Sequence, residues 1–572
     1  MFRRCSTARP FTRPLAPVAL GCAAAVLLSA CGSSPMPKMP PLVPSRPAQA
    51  AAPASAPVAP ANSASAASVP ARAAPVAVSP LETPAVAARF PDPAVTFSLP
   101  SLQDGRTDFT TAAELDAKLR ALAVTQPAAP SENPTSITLL PLGNSQDSTP
   151  LQALLFTRHP SPSATVIVRG GRPTVLLVGQ QHGDEPAGAE ALLAVADELA
   201  TGSLQGLLDR INVVILPRAN PDGAGRNQAV TTLGTDLDTD HLLLTTPEAK
   251  AIAKLARDYR PLVVVDAHEY PLDAAYATRF GGAQRADVQL QYAATARLPE
   301  FISKASEEWF RQPVLAALKE GGYTSEWVHR PGEGQRLAMG SPRPDSARNV
   351  NGLRNAVSFV VESRGGNLGR VHLHRRVASQ VAVISDVLRT SAQRADDLVK
   401  LRKYVDASVR ADLCNSQMVI DPRPSATEHA LVLLDPATGA DKSVTVNWDS
   451  SLVLRDGKQR SRPCGYWLAA DQSDAVGRLR GLGLRVEQLS EAFDMQADAN
   501  AGTPVAGERE FIEFSAPAGS YYVPLSQPWG NLVVAALEAD AAQGFLAAKV
   551  VTAPNKLRKV AVVPKVRRTL VP

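Results

Sequence analysis

His182 and Glu185 stand three positions apart in the stretch Gln180-Gln181-His182-Gly183-Asp184-Glu185-Pro186. An imidazole and a carboxylate so placed on one loop can converge on a cation, and zinc takes both donor types at roughly 2.0 to 2.2 Å. The run before them, Thr174-Val175-Leu176-Leu177-Val178-Gly179, is short, apolar and closed by glycine, as a buried parallel strand is. Open α/β sheets place their chemistry on the loops that leave such strands. A catalytic zinc uses three protein ligands and keeps a fourth position for water, so a third donor is expected downstream. Taken alone, His-x-x-Glu is also the pattern of an ordinary polar loop.

Leu262-Val263-Val264-Val265-Asp266-Ala267-His268 repeats the design, a buried strand run ending in a histidine. Glu362 emerges in the same way from Ala356-Val357-Ser358-Phe359-Val360-Val361. A partly desolvated carboxylate at a strand end is the type of group that serves as a general base; the competing reading is a salt bridge to Arg364 or Arg354. Between the first two strands lies Asn220-Pro221-Asp222-Gly223-Ala224-Gly225-Arg226, a turn sequence that could carry the Arg226 guanidinium to a scissile carbonyl or simply expose it. Thr246-Pro247-Glu248 reads as a helix start with proline at its first position.

In this order the pieces resemble the zinc carboxypeptidase family. They are His-Gly-x-Glu-Pro at 182–186, Asn-Pro-Asp-Gly at 220–223, Gly-x-Asp-Leu at 234–237, Thr-Pro-Glu at 246, Asp-Ala-His-Glu at 266–269 and Phe-x-x-Glu-x-Arg-Gly at 359–365. The resemblance spans about residues 105–395. It implies one zinc ion per chain held by His182, Glu185 and His268, with Asp236 orienting His182. It implies also that Glu362 deprotonates the attacking water, that Arg226 stabilises the oxyanion, and that Asn220, with positions 238 and 239, meets the substrate.

One departure bears on substrate. Where the family continues Asn-Arg to grip a terminal carboxylate, this chain has Asp238 and Thr239. Losing a charged hydrogen bond forfeits about 1.5–3 kcal/mol, so altered carboxylate recognition is expected. The family's substrate-covering tyrosine has no clear match either, Tyr323 being the nearest and a poor one.

The elements that must position these residues alternate along the chain. Strands are expected at 151–156, 165–168, 174–179, 211–216, 262–267 and 357–362. Helices are expected at 111–122, 187–200, 247–259, about 300–320 and about 370–400. That is an α/β fold, a mixed, largely parallel sheet with helices on both faces. Residues 273–299 and 323–350 read as loops around the cleft. A smaller β-rich C-terminal domain follows, with strands near 431–434, 442–448, 451–454, 510–514 and 520–525.

The expected organisation is a signal peptide at 1–30, an Ala/Pro-rich disordered tether at 31–104, a catalytic domain at 105–402 and an accessory domain with a basic tail at 403–572. Leu28-Ser29-Ala30-Cys31 resembles the bacterial lipoprotein box, which implies lipidation at Cys31, a membrane anchor and an outer-membrane position facing the periplasm. Residues 1–30 hold four arginines and no acid, so the formal charge falls from +5 to about +1 without them, and a nucleic-acid role has no support. In an oxidising compartment Cys414 and Cys464 could pair. Three functions remain open: a metallopeptidase acting on peptide or cell-wall peptide, a zinc deacylase or amidase, and a non-catalytic peptide-binding lipoprotein.

Overall fold

The expected strand runs at 151–156, 174–179, 211–216, 262–267 and 357–362 fall in one eight-stranded sheet. The structure, a computed structural model, describes residues 82–125, 134–412, 414, 416–455, 457–499 and 510–571. In chain order the first strands are β1 (Ser136–Asn144), β2 (Pro150–Thr157), β3 (Thr174–Gly179), β4 (Asn212–Leu216) and β5 (Val263–Tyr270). Then come β6 (Ala283–Gln284), β7 (Val288–Tyr292), β8 (Ser325–Glu326), β9 (His329–Pro331), β10 (Arg336–Met339) and β11 (Val357–Arg364). The spatial order is β1-β2-β4-β3-β5-β11-β7-β8. The four central strands β4, β3, β5 and β11 run parallel, while β1, β2 and β7 pair antiparallel with their inner neighbours.

Alternation along each strand splits its residues between two faces. Val175, Leu177, Val213, Ile215, Val263 and Val265 pack beneath the helices Pro186–Ala200 and Leu373–Gln393. Leu176, Val178, Val214, Leu216 and Val264 face the helix Pro247–Tyr259. With both faces covered, the strands read as continuous apolar runs, and each fully buried Val or Leu contributes about 1.5–3 kcal/mol. Thr246 caps the second helix by accepting from the Ala249 N–H, with Pro247 in its first turn, as the sequence indicated.

Three expectations change. Residues 164–169 form a helix, not a strand: β2 already has β1 and β4 on its two edges, and only Ile167 of the helix is buried. The loop expected at 273–299 contains β7, whose register with β11 puts Gln289 opposite Glu362. The loop expected at 323–350 contributes β8, β9, β10 and the helix Ala347–Leu353.

The C-terminal part is β-rich, but its first hairpin pairs with strands that precede residue 403. After the short β12 (Gln417–Val419), β13 (Arg423–Leu434) and β14 (Asp441–Arg455) join β6, β10 and β9 in a five-stranded sheet of order β6-β13-β14-β10-β9. The expected boundary at 402/403 falls inside one helix, Ala395–Ala411. A two-stranded pair, a seven-stranded sheet and the helices Ser473–Gly481 and Gly530–Leu537 follow, and Leu468, Val533 and Val534 share the core that covers the second face of the main sheet. A disulfide joins Cys414 and Cys464.

The expected tether ends earlier than 104. From Glu82 onward the chain is packed: Val86, Phe90 and Leu99 are buried, and Glu82 forms ion pairs with Arg364 and His372. The signal segment and Cys31 lie outside the described residues. Among the described residues no helix is long and apolar enough to cross a membrane.

Candidate metal centre

The loop between β3 and the helix Pro186–Ala200 is buttressed from three sides. The Asn220 side chain caps the helix Pro221–Arg226 through the Gly223 N–H and donates to the Gln181 and Ala229 carbonyls. Arg218 donates to Gln180, whose own amide donates to the Gly183 carbonyl. Gly183 itself presses on the Asn-Pro-Asp-Gly turn, since a Cβ there would lie 2.0 Å from the Gly223 carbonyl carbon. The loop therefore presents His182 and Glu185 from a rigid support, in reach of β5.

His182 Nδ1 and His268 Nδ1 each lie 2.9 Å from a different oxygen of Glu185. The three donors sit within 4.8 Å of one another, and the two rings are edge to face. The Glu269 N–H also donates to Glu185, at 3.0 Å, which fixes its carboxylate. The outer nitrogens have carboxylates too: Asp236 lies 3.1 Å from His182 Nε2, and Asp266 lies 3.1 Å from His268 Nε2, at an angle too oblique for a well-formed hydrogen bond. Two imidazoles whose Nδ1 atoms converge on one carboxylate, each with an acid behind it, form the donor set that zinc takes, including the carboxylate partners that ligating histidines characteristically have.

Electrostatics follow from this crowding. Burial works against a charge on His182, but Glu185 and the Asp236 hydrogen bond outweigh it and push the imidazole up to about 10. Burial likewise opposes charge on His268, and Asp266 and Glu185 raise it well above the usual histidine range. Burial raises Glu185, but the two imidazoles win and hold it well below the usual carboxylate range. Protons and a metal ion therefore compete for the same nitrogens.

Glu362 lies on β11 directly opposite His268 on β5, so the expected base is one strand spacing from a ligand candidate. Its side chain is 8% exposed and carries an ion pair, but not with the expected arginines. Arg364 pairs with Glu82, and Arg354 with Asn351. The partner is Arg330 on β9, whose Nη2 donates to Glu362 at 2.7 Å.

Other expected positions fall differently. Arg226 is held outward by Asp147 at 2.6 Å and by Thr232, and it makes neither a hydrogen bond nor an ion pair with the triad or Glu362. Asn220 is fully buried with its donors and acceptor spent on the loop, so it is a support and not a substrate contact. Thr239 folds its hydroxyl back on the Asp236 carbonyl. Asp238 accepts the Ala347 N–H at 3.3 Å and reaches within 4.8 Å of Asp266 and His268. Tyr323 lies against Arg375.

Three participants escaped sequence reading. Asp266 precedes His268 by two and so shares its face of β5, a period-two signal that was available. Gln181 donates to Asp266 at 2.6 Å and is itself held by buried His241 at 2.7 Å. Arg348, 6% exposed, donates to the Ser341 carbonyl and feels Asp238, Glu362 and Asp266.

Residues 128–240 match the family model for zinc carboxypeptidase. The comparisons support the zinc carboxypeptidase family. Carboxypeptidase 2 of Trichophyton tonsurans is 25% identical over 397 residues, covering 65% of this chain and 72% of its own. Carboxypeptidase D of Rattus norvegicus is 37% identical over 114 residues, covering 17% of this chain and 8% of its own. Among solved structures, a metallo-carboxypeptidase from Pseudomonas aeruginosa in complex with (2-guanidinoethylmercapto)succinic acid is 19% identical, covers 50% of this chain and 68% of its own, and has a TM-score of 0.36. The cofactor of the zinc carboxypeptidase family is a single zinc ion, and His182, Glu185 and His268 are the residues here that fit it.

Proposed function

We propose that this chain is a zinc-dependent peptidase of the carboxypeptidase type that hydrolyses peptide or peptide-like amide bonds. The observation that carries the reading is the convergence of His182, Glu185 and His268 with Glu362 in register beside them on the next parallel strand. A zinc ion bound there supplies a Lewis acid and lowers the pKa of a bound water to about 7. Glu362 accepts the proton of the attacking water and returns it to the leaving nitrogen as the C–N bond breaks. Asp236 hydrogen-bonds His182 Nε2 and the Asp266 carboxylate lies beside His268 Nε2, which favours a proton on each outer nitrogen and leaves Nδ1 turned inward.

The substrate end differs from the family pattern. With Thr239 turned away, we assign the buried Arg348, which interacts electrostatically with Asp238 and Glu362, the role of meeting a substrate carboxylate. Export and lipid anchoring through Cys31 remain part of the proposal; palmitate labelling that is abolished in Cys31→Ala would support it, and unlabelled wild type would refute it.

The test is metal content and turnover of the full chain. About one zinc per chain, lost in His182→Ala, together with release of C-terminal amino acids from N-acylated dipeptides that Glu362→Gln abolishes without losing zinc, is the expected result. Released acyl groups would indicate a deacylase. Absence of both zinc and hydrolysis would refute the reading.

A further inference from the structure

Glu362 does not face open solvent. Over it lies a guanidinium delivered by the five-stranded sheet, a part of the molecule outside the sheet that carries His268 and Glu362. Arg330 sits on β9, where it pairs with Ala338 of β10, and Ala338 in turn pairs with Asp449 of β14. The chain of contacts is firm. Arg336 forks onto both oxygens of Asp449 at 3.1 and 3.0 Å, the His329 N–H donates to Gln289 at 3.1 Å, and the His329 ring meets the Tyr276 hydroxyl at 3.0 Å. Arg330 Nη1 donates to the His329 carbonyl at 3.0 Å, which leaves Nη2 on Glu362.

Exposure separates this arginine from a structural one. The Arg330 side chain is 46% exposed, against 8% for Glu362, so the arginine reaches the buried carboxylate with Nη2 while part of its side chain stays at the surface. Arg226, on the loop where the sequence led us to expect this charge, is committed to Asp147 and Thr232.

We propose that Arg330 is a catalytic residue, the guanidinium that receives the scissile carbonyl oxygen, and that the C-terminal hairpin β13–β14 is thereby part of the active site. The proposal rests on the hydrolase reading above. As the water oxygen bonds to the carbonyl carbon, the π pair moves onto the carbonyl oxygen, and the Arg330 N–H groups donate hydrogen bonds to that anion. The water proton passes to Glu362. When the pair returns, the C–N bond breaks and the proton goes to the departing nitrogen, so no co-reactant is consumed. In the substrate-free protein the same guanidinium holds Glu362 in place; substrate takes over one of its edges.

The experiment compares wild type, Arg330→Ala, Arg330→Lys and Arg226→Ala as full chains, reading zinc content, kcat and KM on N-acylated dipeptides, and the Kd of a peptide phosphonate that mimics the tetrahedral anion. Arg330→Ala should keep its zinc, lose on the order of 100- to 1,000-fold in kcat with a smaller change in KM, and bind the phosphonate correspondingly less tightly. Added guanidinium ion should restore part of the rate, Arg330→Lys should lie between, and Arg226→Ala should behave as wild type. Wild-type turnover and phosphonate affinity in Arg330→Ala, or the loss appearing in Arg226→Ala instead, would overturn the assignment. Wild type that neither holds zinc nor hydrolyses the dipeptides would overturn the hydrolase reading, and Arg330 with it, a result distinguishable because every variant would then be alike.

Discussion

Asp266→Asn isolates one physical claim, that a carboxylate behind His268 makes this ring a better metal ligand. Asp266 is 1% exposed, and a single oxygen, Oδ2, lies 3.1 Å from His268 Nε2 while accepting from Gln181 at 2.6 Å. The other oxygen has no hydrogen-bond partner. An asparagine that keeps its oxygen at the Oδ2 position preserves both contacts and puts its amide where the unpartnered oxygen stood. What disappears is the charge that favours the Nε2–H form of His268, the form that leaves Nδ1 free as a donor. Removing a partner of this kind typically costs 10- to 100-fold in metal affinity, or about 1.4 to 2.7 kcal/mol. The assay is zinc competition against a chromophoric chelator at fixed pH, with Asp197→Asn as control, because that substitution removes a carboxylate from a half-exposed pair with Lys118. Zinc affinity within twofold of wild type in Asp266→Asn, or an equal loss in the control, would refute the argument that Asp266 acts through His268.

Gly183→Ala should lower metal affinity sharply and destabilise by more than about 1–3 kcal/mol, since the new methyl meets backbone atoms of the Gly223 turn that cannot swing aside; an unchanged melting temperature and zinc affinity would contradict the packing. Arg348→Ala should raise KM about 10- to 100-fold for peptides with a free terminal carboxylate and leave the corresponding amides unaffected, as measured by steady-state kinetics on matched pairs. Glu114 closes a capping box with Thr111 and pairs with Arg106, and the Arg106 hydrogen bond chiefly holds its carboxyl down to about 2. Because the folded value lies below the ordinary 4.5, its stabilising contribution is complete above pH 4.5 and is lost as pH falls from there toward 2. The difference in thermal stability between wild type and Glu114→Gln should be constant above that window and close within it; a difference that persists at pH 2 would count against the assignment.

The first face of the candidate metal centre is a property of local sequence. The apolar runs place His182 and Glu185 just past one central strand and His268 and Glu362 toward the C-terminal ends of two others, and Asp236 could be set behind His182 from the same ordered pieces; β5 runs two residues past His268, to Tyr270, where the sequence run suggested that the strand stops at the histidine. The helix Pro247–Tyr259 was legible to the residue because Thr246 and Pro247 mark its start. What local sequence does not carry is pairing between distant segments. Nothing at Arg330 announces that residues 447–449 will dock beside 336–338 and hold its strand over Glu362, because a parallel pairing across so many residues is decided by the packing of Leu337, Met339 and Trp448 into a shared core, not by either strand's own pattern. The same holds for Arg226. Its loop was recognisable, but whether its long side chain reaches inward or outward depends on Asp147, about eighty residues earlier, whose carboxylate takes it at the surface. The sequence by itself determined which groups gather and on which strands; only the tertiary structure decided which arginine faces Glu362, because a guanidinium goes to the carboxylate that folding brings nearest.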